Sequence, residues 1–233
     1  MKDEIIFIID AQNDFIEGGA LAVQGGTKAL NNTGKHLLTT EYGRKIASLD
    51  VHNLTNLGFK ENWDGPEVDK VIPYQPIPVD LIKSGKIYPK FQYTREQDIS
   101  NILKQLGFMC WNQHCVKNTA GCNIYEPLQK TLNQLGNVEY VTKGDQDSLD
   151  CYSIFHYGTG ELRKDIDLDL GNYKKFVFAG LATDYCVLET IKSVHQLVPD
   201  GEFTLLKDCC AAIRSDLEVT QIYQDLPFKV KMI

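Results

Sequence analysis

The sequence predicts an α/β protein built around a mostly parallel central sheet. Three observations predict it. Short, wholly apolar runs such as Ile5-Ile6-Phe7-Ile8-Ile9 and Phe176-Val177-Phe178-Ala179 have the length and the β-branched or aromatic content of strands buried on both faces. These runs stop abruptly, at Asp10 and at Gly180. Segments with helical spacing lie between the runs, as in Val187, Ile191, Val194 and Leu197, and that alternation is the mark of βαβ units.

The elements follow in order. Ile5–Ile9 is a strand ending at Asp10, with a turn at Glu17-Gly18-Gly19. A helix from about Thr27 to Tyr42 follows Gly25-Gly26. Lys45–Leu49 is the second strand and ends at Asp50. From about 60 to 110 the chain is irregular, broken by Pro66, Pro73, Pro76, Pro78 and Pro89, with one helical stretch at Glu96–Leu106. This stretch reads as an inserted loop that forms a lid, a subunit contact or a plain surface decoration. Beyond it come a helix (Glu126–Leu135) and a strand (Val138–Val141). The Phe176 strand follows with its helix, for which Asp184 is the expected N-cap. Strands at Phe203–Leu206 and Phe228–Met232 close the chain. No repeat, low-complexity tract or boundary divides it, so residues 1–233 are expected to form a single domain.

Composition narrows the function. The 233 residues carry a formal charge of −7 with no basic stripe, which argues against a nucleic-acid partner. Seven cysteines, an odd count, include no CxxC pair, so neither a disulfide framework nor an oxidising compartment is expected. No apolar stretch reaches membrane-spanning length, and Met1-Lys2-Asp3-Glu4 leads straight into a strand without a signal-peptide pattern. The expectation is a cytoplasmic protein with no membrane partner and a small-molecule substrate. A homo-oligomer remains open.

In a parallel sheet, ligands gather beyond the carboxyl ends of the strands. Asp10, Asp50 and Cys186 each lie at or just past such an end, and Lys143 lies two residues past Val141. Cys186 also falls in the first turn of its helix, where free N–H groups and the macrodipole favour a thiolate. An acid, a cation and a thiol on one rim suit covalent amide chemistry. Singly, each has a plain alternative: Cys186 a buried core thiol, Asp10 a turn cap, Lys143 a solvated lysine. A second group concerns metal. Asp50-Val51-His52 puts two ligand types on one side of an extended segment, and His114 lies in Trp111-Asn112-Gln113-His114-Cys115. An Asp with two imidazoles suits a divalent ion, zinc first, with iron or manganese as alternatives. His114 is equally an ordinary half-buried histidine when taken alone. His36, His156, His195 and the remaining cysteines read as structural.

With these residues assembled, the chain resembles the nicotinamidase branch of the isochorismatase-like cysteine hydrolases. The likeness runs through most of the chain in the family's order. It rests on Ile9-Asp10-Ala11-Gln12-Asn13-Asp14-Phe15, Asp50-Val51-His52 and Trp111 to Thr119 with His114. Lys143-Gly144 with Tyr152-Ser153-Ile154-Phe155, and Gly180-Leu181-Ala182-Thr183-Asp184-Tyr185-Cys186-Val187, complete it.

The resemblance implies a three-layer α/β/α fold with the active site at the carboxyl rim. It implies Asp10, Lys143 and Cys186 as catalytic residues, and Asp50, His52 and His114 as ligands of one divalent metal that binds a pyridine nitrogen. Backbone N–H groups of Ala182 and Cys186 are implied as the oxyanion hole, with a cis peptide just before Ala182. Phe15, Trp111 and Tyr152 are implied as the ring pocket. The activity implied is hydrolysis of nicotinamide to nicotinate and ammonia through a cysteine thioester, in NAD salvage. Asn56 departs from the pattern, since the family often has a further histidine there. Gly58 stands where the family has serine, and Asn112 where it has proline. Two other readings compete: a related cysteine amidase acting on another small amide, and a non-catalytic binding protein that keeps the fold.

Overall fold

The computed structural model describes residues 3–91, 96–104, 108–145, 148–166 and 169–233. In chain order its strands are β1 (Glu4–Ile9), β2 (Arg44–Asp50), the two-residue β3 (Trp63–Asp64) and β4 (Tyr88–Pro89), β5 (Val138–Lys143), β6 (Lys175–Leu181), β7 (Glu202–Ala211) and β8 (Val230–Met232). The helices are α1 (Gly26–Thr39), α2 (Val79–Lys83), α3 (Glu96–Lys104), α4 (Glu126–Leu135), α5 (Leu188–Leu197) and α6 (Asp216–Gln224).

Six strands form one sheet in the order β5-β2-β1-β6-β7-β8, and every neighbouring pair in it is parallel. β1 lies inside this sheet, and all five residues Ile5–Ile9 are fully buried. Alternation along the strand divides them between two cores. Ile6 and Ile8 join Ala29, Leu30 and Leu37 of α1 and Leu128 and Leu132 of α4. Ile5, Phe7 and Ile9 join Leu188, Ile191 and Val194 of α5 and Val219 and Tyr223 of α6. The result is a three-layer α/β/α arrangement around a parallel sheet. Strand order reverses at β1, which places the carboxyl ends of β2, β1 and β6 around the crevice where such sheets bind ligands.

β1 and β6 approach closely because of Gly180. Its φ is 121°, and a Cβ there would meet the Ile9 carbonyl oxygen at 2.0 Å. No side chain larger than hydrogen fits between the two strands that carry Asp10 and the Cys186 turn.

Several boundaries and one element differ from expectation. α1 stops at Thr39, since Thr40 is extended (φ −132°, ψ 124°); Tyr42 lies beyond it, its hydroxyl 2.6 Å from His36 Nε2. β7 runs ten residues, well past Leu206, and β8 begins at Val230 instead of Phe228. The helix expected over Glu96–Leu106 is present as Glu96–Lys104, with 105 and 106 outside the described residues. α6 was not anticipated. Its N-terminus is a capping box in which the Ser215 side chain accepts from Glu218 N–H and the Glu218 carboxylate accepts from Ser215 N–H.

The span from 60 to 110 is more ordered than its prolines suggest. Leu57, Trp63, Val71, Ile77, Ile87, Ile102 and Phe108 form a third apolar cluster, with the Trp63 indole donating to Leu57 O at 2.8 Å. Backbone bonds from Tyr74 N to Cys110 O (2.7 Å), Cys110 N to Gln75 O (2.8 Å) and Ile77 N to Phe108 O (2.8 Å) lay this segment beside the chain leading to Trp111. Among the described residues, no helix is long and apolar enough to cross a membrane.

Candidate active site

The strand ends deliver the predicted residues to one place. Asp10 follows β1 directly and is fully buried. Ser48, on β2, accepts from Asp10 N–H (3.0 Å) and donates to Asp10 Oδ1 (2.6 Å). Asp50 ends β2, and Gln12 clamps it to the β1 turn: Asp50 N–H donates to Gln12 Oε1 at 2.7 Å and Gln12 Nε2 donates to Asp50 O at 2.6 Å. Lys143 ends β5, next to β2, so its side chain reaches inward. Its ammonium lies 3.0 Å from Asp10 Oδ2 and 2.7 Å from Asp50 Oδ1, and it donates to Cys151 O at 3.1 Å.

A lysine buried this deeply is retained as a cation only because carboxylates surround it. Burial opposes its charge, but Asp10 and Asp50 outweigh it and hold the Lys143 pKa well above the ordinary value. Burial likewise opposes ionisation of Asp50, yet His52, Lys143 and the hydrogen bonds of His114 and His52 keep its carboxyl well below the usual range. Asp10 goes the other way: burial raises it, Lys143 only partly offsets this, and the neighbouring Asp50 adds to the rise. Two carboxyls on one ammonium are thus pushed apart, with Asp10 the one prepared to carry a proton. No hydrogen bond of good geometry reaches Asp10 Oδ2 among the described residues, and the Cys186 thiol is among the groups that act to lower the Asp10 pKa.

Cys186 sits in a π-helical turn, Thr183–Val187, that precedes α5. Two expectations are corrected here. The helix start does not make a resting thiolate: burial raises the Cys186 pKa well above the ordinary thiol value, Lys143 opposes the rise, and Asp10, Asp50 and Asp150 reinforce it. Asp184 is not the N-cap of α5. Its carboxylate instead accepts from Ile213 N–H and Arg214 N–H, each at 3.0 Å. The Leu181–Ala182 peptide is cis, and Ala182 and Cys186 both line the cavity.

Asp50, His52 and His114 converge as well. Asp50 Oδ2 is 2.8 Å from His52 Nε2 and 3.4 Å from His114 Nε2. All three residues are buried, with ligand atoms within 4.8 Å of one another. His114 Nδ1 is paired with Asn112 O at 2.7 Å, which turns Nε2 toward Asp50. Phe59 stands edge-on to both imidazoles, with centroids 5.4 Å from each. A carboxylate and two imidazoles with their second nitrogens held is a donor set that fits a divalent cation. Asn56 does not belong to this set: its amide nitrogen is 3.2 Å from His52 Nδ1, the other edge of that ring, while its Oδ1 accepts from Gly58 N–H at 2.7 Å.

A small cavity joins the two groups. Its walls include Phe15, Trp111, Tyr152 and Tyr185 beside Asp50, His114 and Cys186. Trp111 Nε1 donates to the Tyr152 hydroxyl at 3.2 Å, and the Tyr185 ring lies 5.1 Å from Trp111 and 5.8 Å from Tyr152. Seven of the ten predicted site positions line this space; the other three stand behind them, His52 and Lys143 paired with Asp50 and Asp10 paired with Lys143.

Sequence reasoning missed Gln12, Ser48, Asp150 and Tyr185. Ser48 had a signal, since it shares a strand face with Asp50 at i and i+2. Tyr185 adjoins Cys186. Asp150, whose Oδ1 is 3.6 Å from His52 Nε2, had none, because its place depends on a loop beyond β5.

The chain has the isochorismatase-like α/β fold. Over most of its length it is a homologue of the nicotinamidases, which are amidohydrolases. It is 27% identical to the nicotinamidase of Escherichia coli (strain K12) over 201 residues, 84% of this chain and 78% of that one. With the nicotinamidase of Schizosaccharomyces pombe it shares 29% identity over 192 residues, 79% and 73% of the two chains. Two solved structures superpose on it. The yeast nicotinamidase bound to the inhibitor nicotinaldehyde has a TM-score of 0.70 at 21% identity, covering 99% of this chain and all of the other. The zinc complex of Pyrococcus horikoshii pyrazinamidase has a TM-score of 0.60 at 19% identity, covering 99% and 98%. No family model matches the chain.

Proposed function

We propose that this protein is a metal-dependent nicotinamidase, carried by one domain, that hydrolyses nicotinamide to nicotinate and ammonia through a thioester on Cys186 and so serves NAD salvage. The observation that carries the reading is the meeting of two sets of residues at one aromatic-walled cavity: Cys186, backed by Asp10 and Lys143, beside Asp50 and His114, backed by His52. Homology to nicotinamidases supports it.

Asp10, fixed by Ser48 through Oδ1, takes the Cys186 proton on Oδ2, the oxygen that faces the Lys143 ammonium. Lys143 stabilises the thiolate as it forms, which answers the raised pKa of the resting thiol. The sulfur adds to the carboxamide carbon, and the N–H groups of Ala182 and Cys186 receive the oxyanion. Asp10 returns the proton to the departing nitrogen, ammonia leaves, and a nicotinoyl thioester remains. Water, deprotonated by Asp10, attacks the thioester, and nicotinate and the Cys186 thiol are regenerated. Phe15, Trp111 and Tyr152 hold the ring and exclude bulk water. A divalent cation held by Asp50, His52 and His114, zinc first and iron or manganese next, would supply a Lewis-acidic contact for the pyridine nitrogen and thereby orient the ring.

Purified protein given nicotinamide is expected to release nicotinate and ammonia in equal amounts, and added hydroxylamine to divert part of the product to the hydroxamate. Ammonia release without any hydroxamate at saturating hydroxylamine would count against the thioester. Inert nicotinamide, with turnover of another small amide, would move the reading to a different amidase of the same fold.

A further inference from the structure

One wall of the catalytic cavity carries a residue that the chemistry leaves unassigned. Ile213 lines the cavity together with Cys186 and Tyr185. It also lines an open outer groove, where Lys28, Lys207 and Arg214 lie. Among the described residues, Leu21 and Val23 are the only others common to both spaces, and both are buried, whereas Ile213 is 37% exposed. Ile213 is therefore the part of the partition that faces both ways.

The backbone beneath it is held from an unusual direction. Ile213 lies in the short loop between β7 and the Ser215 cap of α6. The Asp184 carboxylate, buried in the turn that carries Cys186, accepts from the N–H of Ile213 and of Arg214, each at 3.0 Å. The same turn is tied to α6, whose Tyr223 hydroxyl donates to Thr183 O at 2.9 Å. The Arg214 guanidinium lies 5.5 Å over the Tyr185 ring. Nucleophile turn and cavity partition are thus one hydrogen-bonded unit.

We propose that Ile213 is a specificity gate that confines the cavity to single-ring carboxamides, and that Asp184 is the positioning residue that holds the gate in place. The gate admits an unsubstituted ring and rejects one whose substituent would project into the outer groove. This deepens the nicotinamidase reading and rests on it for the substrate.

The test measures how fast Cys186 is alkylated by iodoacetamide and by its N-benzyl derivative, with peptide mass spectrometry separating Cys186 from the other cysteines. In either reaction the sulfur–carbon bond forms as iodide leaves and the thiol proton is lost to solvent. Ile213→Ala is expected to raise the ratio of bulky to small rates by about tenfold or more, the usual worth of removed side-chain bulk in an apolar pocket. Ile213→Val should raise it less, and Asp184→Asn should raise it with Ile213 itself intact. In parallel, kcat/KM for a ring-substituted nicotinamide relative to nicotinamide should rise in the same variants.

An unchanged labelling ratio in folded Ile213→Ala, verified by its melting curve, overturns the gate. A ratio that moves in Ile213→Ala but not in Asp184→Asn overturns the positioning role. If nicotinamide is not hydrolysed by the wild type while the labelling ratio still rises, the gate stands and the substrate reading falls.

Discussion

Replacing Lys143 with methionine tests the electrostatic core of the site without touching Cys186. The lysine is fully buried, and its ammonium is shared by Asp10 Oδ2 at 3.0 Å and Asp50 Oδ1 at 2.7 Å. Methionine matches the stem in length and shape, so the loss is mainly that of the charge. Two buried carboxyls would then face each other with no cation between them. Removing one partner of a buried pair ordinarily costs about 3–5 kcal/mol. For a protein of this size that corresponds to roughly 6–20 °C in Tm, at about 2–4 °C per kcal/mol. Asp10, already raised by burial, relieves part of the strain by taking a proton, so the lower half of the range is expected. The assay is urea unfolding at neutral pH in the presence of chelator. Adding Asp10→Asn removes one of the stranded carboxyls and should recover part of the loss, which a double-mutant cycle reads directly. A loss within the about 0–1 kcal/mol of an exposed ion pair would refute the arrangement.

Three further outcomes are expected. His114→Ala removes one of three converging donors, so cation affinity measured by chelator competition should fall beyond the about 10–100-fold seen when only an outer hydrogen-bond partner is lost; unchanged affinity would show that His114 is not a ligand. Ser215→Ala breaks the capping box of α6 and should cost about 1 kcal/mol in urea unfolding, whereas an unaltered midpoint would show that the cap is idle. Glu17 is held down to about 2, against 4.5 ordinarily, first by its hydrogen bond from the Thr27 hydroxyl and then by backbone N–H groups at the start of α1. Because the folded value is depressed, its stabilisation is complete above about 4.5 and is lost as pH falls toward about 2. Glu17→Gln should therefore be less stable than wild type at pH 7, with the gap closing through that window; a gap independent of pH would remove the ionic account.

What could be read from the sequence follows from how local each signal is. β1 was legible because a strand covered on both faces is apolar at every position. α4 was legible at both ends, with Pro127 in its first turn and Gly136 just past it at φ 61°. The candidate site was legible because Asp10, Asp50, Lys143 and Cys186 mark strand ends, and a parallel sheet brings strand ends together. Asp184 misled because a carboxylate two residues before Cys186 resembles a cap, while its real partners are Ile213 and Arg214 on the far side of β7. α6 carried a capping box, yet only Val219 and Tyr223 are buried along it, so its helical period is faint. The core under residues 60–110 is assembled from single apolar residues on short turns, a pattern with no period at all. Gln12 escaped because it acts on Asp50, 38 residues away, which only folding places beside it.

The account turns on Cys186 as the group that attacks nicotinamide. Ammonia release from nicotinamide by the wild type and by Cys186→Ala, compared at equal concentration after melting curves confirm that both are folded, tests this most directly. Turnover by the wild type and a fall to the uncatalysed background in the variant is the predicted result. Ammonia release that persists in the variant would contradict it.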